Sequence, residues 1–147
     1  MCGSLGLIIE LRRFRLLRPE VTVRDSRFDF IAINGEHCYI EVKGVTAKKN
    51  GDVSYPDAPT ERGRKHLRTM ISLAKRGHRT MLFFLAMRND VDSLTIDDEI
   101  DEGFSALIEK ARRFGVKVKF YSTEVRKDSA RISNPLRFVP RPSRLRY

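Results

Sequence analysis

Asp29, Glu41 and Lys43 are the residues of this chain best placed to do chemistry. They interrupt two apolar and aromatic runs, Phe28 to Ile33 and Cys38 to Val42, that otherwise read as β-strands. Acids and a lysine at the centre of such strands must be exposed, paired or bound to a metal. Two facing carboxylates repel, so the protein has to neutralise them with a proton, a cationic side chain or a metal ion. Mg²⁺ or Mn²⁺ favours oxygen ligands and keeps several waters. Asp29, Glu41 and the backbone carbonyl of Val42 would then suffice as a protein ligand set. Such an ion polarises a scissile phosphate and lowers the pKa of a bound water. Lys43 could orient that water or stabilise the charge of a pentavalent transition state. The competing reading is a salt bridge between Lys43 and one acid on a solvated strand face.

The elements that must position these residues begin with a hairpin around Asn34-Gly35. A two-residue turn would pair Ile33 with Glu36 and set Asp29 opposite Ile40, on the wrong face for Glu41. A three-residue loop, Asn34 to Glu36, pairs Ile33 with His37 and sets Asp29 across from Glu41, roughly 5 Å apart at Cβ. The second register is expected. Tyr39, Glu41 and Lys43 then share one face, and Cys38, Ile40 and Val42 the other.

Leu5, Ile8, Ile9, Leu11, Phe14 and Leu16 or Leu17 fit one face of a helix that Pro19 should end. Val21 and Val23 alternate as in an outer strand. Lys48 to Asp52 reads as a polar loop. A helix is expected from about Thr60, with Leu67, Met70, Ile71 and Ala74 buried and Gly77 stopping it. Thr80 to Met87 reads as a strand buried on both faces and parallel to a neighbour. An acidic connector, Arg88 to Asp101, precedes a helix marked by Phe104, Leu107, Ile108 and Ala111 that closes at Gly115. Val116, Val118 and Phe120 mark the last clear strand. This order is that of an α/β fold. Residues 1–133 are expected to form one domain and 134–147 a basic, proline-containing, flexible tail.

With 29 Lys and Arg against 19 Asp and Glu, the chain carries a net charge of +10, which favours a polyanionic partner. Cys2 and Cys38 match no zinc spacing and point to free thiols in a reducing compartment. Leu5 to Ile9 is too short for a signal peptide core or a membrane span, so a cytoplasmic protein without membrane contact is expected. Ser54 to Leu67 is a second constellation. It delivers Asp57, Glu61, Arg62, Lys65 and His66 to the first turns of a helix, where free N–H groups favour phosphate.

Four segments carry a resemblance to a known family. They are Ser26-Arg27-Phe28-Asp29-Phe30, Cys38-Tyr39-Ile40-Glu41-Val42-Lys43-Gly44-Val45-Thr46, the stretch Tyr55 to Leu67, and Gly77-His78-Arg79. Together they resemble the sugar fermentation stimulation protein (SfsA) family over about Glu10 to Val125. That resemblance implies a restriction-endonuclease-like PD-(D/E)XK fold, with a central mixed β-sheet flanked by helices. It also implies DNA binding and Mg²⁺-dependent nuclease activity. Asp29, Glu41 and Lys43 match the superfamily signature, and Glu10 falls where many such nucleases carry an extra acid. Family members usually carry an OB-like barrel ahead of this domain, and the chain is expected to begin after it. The strand that usually ends in Gln-Arg reads Met87-Arg88 here.

The expected function is therefore a metal-dependent phosphodiesterase acting on DNA or RNA. Asp29 and Glu41 would bind the ion and Lys43 would assist the water, while Arg62, Lys65, His66 and Arg88 would contact the nucleic acid. One alternative is a DNA-binding regulator that retains the fold without turnover. Another is a subunit that needs a homodimer or a separate OB-like partner to close its groove.

Overall fold

The hairpin at Asn34-Gly35 forms in the three-residue register: Ile33 pairs with His37, Ala32 with Cys38 and Phe30 with Ile40. It lies in a computed structural model that describes residues 16–49 and 52–139. Its strands are β2 (Ser26–Ile33) and β3 (His37–Val45), and β1 (Leu16–Val23) pairs antiparallel with β2 at the sheet edge. Pro19 lies inside β1 and does not end a helix. An edge strand tolerates the missing N–H because one side of its ladder needs no partner. Leu16 and Leu17 belong to β1, and the rest of the expected first helix lies outside the described residues.

After β4 (Lys48–Lys49) and β5 (Asp52–Tyr55), helix α1 spans Glu61–Lys75. Strand β6 (Arg79–Ala86) then inserts parallel to β3. Strand β7 (Ser93–Ile96), helix α2 (Glu102–Arg113) and strand β8 (Lys117–Val125) follow, with β8 parallel to β6. Strands β9 (Ala130–Pro135) and β10 (Arg137–Phe138) complete the order. The main sheet runs β1-β2-β3-β6-β8-β9, and a second runs β10-β7-β5-β4. The central sheet is thus mixed and flanked by helices, as expected. Gly77 and Gly115 have φ of 86° and 92°, the left-handed backbone that ends a helix without a Cβ penalty.

Three expected loops carry structure. Lys48 and Lys49 of the first pair antiparallel with Val53 and Asp52, β4 against β5. The acidic connector contains β7, whose Leu94 and Ile96 are buried, because β5 supplies a parallel edge for it. The expected domain end at 133 falls within β9. Leu136 is buried, its N–H bonds to the Phe120 carbonyl at 2.8 Å, and Phe138 stacks on Phe120 at 5.0 Å. Up to Val139 the expected tail is therefore part of the fold, anchored by two apolar residues among the basic ones. Residues 140–147 lie outside the described residues.

The larger core sits between the main sheet and the helices, with Leu67 and Met70 of α1, Phe104 and Ile108 of α2, and Phe28, Leu82 and Phe84 of the sheet. One carboxylate ties both helix starts together. Asp101 caps α2 by accepting from Phe104 N at 2.8 Å, accepts from Thr60 N at 2.8 Å, and binds Arg64 Nη1 at 2.7 Å. Thr60 in turn caps α1 by accepting from Gly63 N at 3.0 Å. A Cβ on Gly63 would lie 2.8 Å from Thr60 Oγ1 and 3.0 Å from Phe104 Cε2, so the glycine is dictated by contact with the cap and with α2.

Burial works against charge on Asp101, but the two backbone N–H groups and Arg64 outweigh it and hold the carboxyl below the usual aspartate range. A depressed folded pKa adds stability above the ordinary aspartate pKa, and that stability is lost as pH falls through the depressed value. Asp101→Ala is expected to cost about 2–3 kcal/mol at neutral pH, with a deficit that narrows in acid, measured by urea melts across pH. Gly63→Ala is expected to lower the melting temperature, although the same change in an exposed helix interior gains about 1 kcal/mol.

Candidate metal centre

The β2–β3 ladder stops one pair short of the acids. Continued in the same register, it would set Asp29 opposite Glu41 and offer Val42 N–H to the Phe28 carbonyl. Instead Asp29 Oδ2 accepts that N–H at 2.7 Å, and the strands part. The β1–β2 ladder has its own gap at the same level. Pro19 pairs with Phe30 and Val21 with Phe28, while Glu20 and Asp29 between them are unpaired. Glu20 has φ of 50°, left-handed backbone that a glutamate adopts only under constraint. Phe28 packs in the helix-side core, whereas Phe30 packs on the opposite face beside Ala32 and Ile40. Strict alternation would put both on one face. The strands therefore twist through the sheet at Asp29, and its carboxyl is aimed at the gap beside Val42. In a strand, the N–H and C=O of one residue point to the same edge, so the Val42 carbonyl faces that gap as well.

Glu41 is 4% exposed, and its environment is built around one oxygen. Oε1 accepts from Lys43 Nζ at 2.9 Å and lies 2.8 Å from His66 Nδ1. Lys43 Nζ and His66 Nδ1 are 3.5 Å apart. Oε2 is buried with no hydrogen-bond partner. Burial opposes the charge on Glu41, yet His66 and Lys43 together outweigh it and hold the pKa below the usual glutamate range. The neighbouring acid goes the other way. Burial raises the Asp29 carboxyl above its ordinary range, and the Glu41 charge adds to the rise. The Val42 N–H and Lys43 pull it back only in part.

A buried carboxylate oxygen without a hydrogen-bond partner, beside a second acid whose charge is disfavoured, is a place where a cation would be favoured. The donors are hard oxygens from Asp29, Glu41 and the Val42 carbonyl, which suit a divalent ion that keeps several of its waters. Among the described residues no three His, Cys, Asp or Glu side chains form a metal-ligating group, so a site here would have to draw on backbone oxygen and water beside the two acids. Glu10 lies outside the described residues.

The expected phosphate contacts come out differently from one another. His66 is 5% exposed and faces Glu41, so it holds an acid in place and does not reach solvent. Lys65 pairs with Asp25 in the β1–β2 turn at 3.1 Å. Arg88 is forked by Asp90, with Nη2 to Oδ2 at 2.7 Å. Arg62 is exposed at the start of α1. At the start of α1 the Gly63 N–H is taken by Thr60 Oγ1, and the Thr60 N–H by Asp101. Helical spacing could have shown that His66 lies one turn before the buried Met70, and hence near the core face. Nothing local in the sequence shows that Asp101, far along the chain, reaches Thr60. Asp29→Asn is expected to raise the midpoint of the metal-free protein at neutral pH. The gain should be no more than about 1 kcal/mol because the carboxyl is half-buried and screened, and thermal melts in EDTA measure it.

Comparison with known proteins gives one answer. The model of the sugar fermentation stimulation protein RE domain matches residues 3–129. A sugar fermentation stimulation protein homolog from Caldanaerobacter subterraneus subsp. tengcongensis is 38% identical over 135 residues, covering 91% of this chain and 59% of the relative. A homolog of the same name from Thermoanaerobacter is 40% identical over 123 residues, covering 83% of this chain and 54% of the relative. The chain thus spans somewhat more than half the length of these relatives. Among solved structures, Pyrococcus furiosus SfsA in complex with Ca²⁺ superposes with a TM-score of 0.83 at 23% identity, over 92% of this chain and 59% of that one. That likeness shows the fold, a mixed α/β architecture of the restriction-endonuclease-like kind. By its matching RE domain, the chain belongs to the sugar fermentation stimulation protein (SfsA) family.

Proposed function

We propose that this chain is a Mg²⁺- or Mn²⁺-dependent phosphodiesterase acting on nucleic acid, DNA in the first place. The observation that carries the reading is the partnerless, buried Glu41 Oε2 next to Asp29, with Lys43 on the same face of β3. The Ca²⁺ complex of the Pyrococcus furiosus protein supports an oxygen-preferring divalent ion in this fold. When bound, the ion supplies Lewis-acid polarisation of a phosphate oxygen and acidifies a coordinated water. The rest is done by the chain's own groups. Asp29 and Glu41 would hold the ion from two strands that have parted, and the Val42 carbonyl would add the third oxygen. Lys43 Nζ lies 2.9 Å from Glu41 Oε1, where an ammonium group can stabilise charge on the attacked phosphate. His66 fixes the Glu41 rotamer, and with it the direction of Oε2.

The net charge of +10 supplies salt-sensitive affinity for the polyanion, and exposed Arg62 is the best placed of the expected contacts. Among the described residues no helix is long and apolar enough to cross a membrane. The buried Cys38, which is in no disulfide, suits work on nucleic acid in a reducing compartment such as the cytoplasm.

Purified protein is expected to cut labelled DNA with Mn²⁺ and not in EDTA. Lys43→Ala should lower the rate by about 100-fold or more. His66→Ala should lower it by about 10–100-fold, with a matching rise in the Mn²⁺ concentration required. Salt-sensitive binding with intact DNA under all conditions would identify a DNA-binding regulator without turnover.

A further inference from the structure

The two acids of the candidate centre take their places from different elements. Asp29 is carried by β2, whereas Glu41 on β3 takes its direction from His66 on α1. The centre therefore keeps its shape only if α1 stays at one height along β2, and a helix and a strand share no backbone ladder that could fix it. The contacts that join the two differ in how well they can. Lys65 and Asp25, in the turn before β2, form an exposed ion pair at 3.1 Å that water and salt screen. Phe28 lies against His66 with ring centroids 6.2 Å apart, an apolar contact with little directional demand. A buried hydrogen bond is of another kind. Ser26 Oγ, at the start of β2, lies 2.9 Å from Thr69 Oγ1 on α1, with the two residues 0% and 7% exposed. Thr69 Oγ1 also donates to the Lys65 carbonyl at 3.2 Å. A hydroxyl has one proton to give, so Ser26 is the donor in the bond to Thr69.

Resting on the reading of Asp29 and Glu41 as ion ligands, we infer that Ser26 and Thr69 are positioning residues of the metal centre. Their hydrogen bond sets the height of α1 against β2. Ser26 stands three residues before Asp29, about 10 Å along the strand. Thr69 stands three residues after His66, on the same side of α1. With that height set, His66 meets Glu41 while Asp29 meets the Val42 N–H, and the two carboxyls keep one relative placement. Unpaired buried hydroxyls are costly, so the separation of helix and strand here is specified, which apolar packing alone would not do. Neither hydroxyl is itself a ligand.

The test is Mn²⁺ titration of the metal-free full chain, read from the free-ion electron paramagnetic resonance signal well below the melting temperature. Thr69→Val replaces the hydroxyl by a methyl of the same shape and is expected to weaken Mn²⁺ binding about tenfold or more. Thr69→Ser keeps the hydroxyl and should bind Mn²⁺ nearly as the parent does. Ser26→Ala removes the other end of the same bond, so it should match Thr69→Val, and the double variant should be no weaker than either single one. Ile108→Val, a core change in α2, should lower the thermal midpoint without moving Mn²⁺ affinity, which separates positioning from a general loss of stability. If Thr69→Val does not fold, Ser26→Ala set against Thr69→Ser carries the same comparison. Parental Mn²⁺ affinity in folded Thr69→Val or Ser26→Ala overturns the inference and leaves the metal centre standing. No Mn²⁺ binding by the parent chain overturns the metal reading and this inference with it.

Discussion

A backbone N–H buried inside a sheet must find an acceptor, and at Val42 the acceptor is a side chain rather than the neighbouring strand. That substitution organises everything around the site. Because Asp29 takes the N–H, β2 and β3 need not stay paired, and the space between them becomes a place where the Asp29 carboxyl and the Val42 carbonyl meet. Because β1 and β2 twist at the same level, Phe28 joins the helix-side core while Phe30 turns to the opposite face of the sheet. A hydrogen bond that would be an ordinary ladder rung elsewhere therefore parts the two strands and aims the first acid.

The second acid is held by a different device. Glu41 lies where a lone charge would be costly, and leaving one partner of a buried pair uncompensated typically costs several kcal/mol. His66 and Lys43 both address Oε1, which meets that cost and leaves Oε2 to something else. The same helix that supplies His66 is fixed at its start by Thr60 and Asp101, and Gly63 lets the cap and Phe104 come close. The string from Tyr55 to Leu67 thus serves mainly to seat α1 so that His66 reaches β3. Its charged residues look like contacts for a ligand, but most of them are engaged with the protein.

Much of this was legible in the sequence. Asn34-Gly35 with alternating flanks gave the hairpin and its register, and apolar spacing with Thr60, Gly77 and Gly115 gave both helices. What was not legible depends on tertiary partners. Pro19 reads as a helix stop until β1 is known to be an edge strand, and β7 reads as acidic connector until β5 offers it an edge. Leu136 and Phe138 are two apolar residues in a basic, proline-containing stretch, and only the exposed side of Phe120 makes them core. Periodicity placed Asp29 and Glu41 on one face, but it could not show the twist that turns Asp29 toward Val42. The residue type of His66 suggests a phosphate contact, and only its burial against Glu41 shows the holding role.

The account stands on the two acids holding a divalent ion. Titration of the metal-free protein with Mn²⁺, followed by the loss of the free-ion electron paramagnetic resonance signal, measures this without any substrate. The account predicts one bound ion per chain, with affinity reduced by about tenfold or more in Glu41→Gln at unchanged fold. Binding of the same strength in that variant, or none in the parent protein, would contradict it.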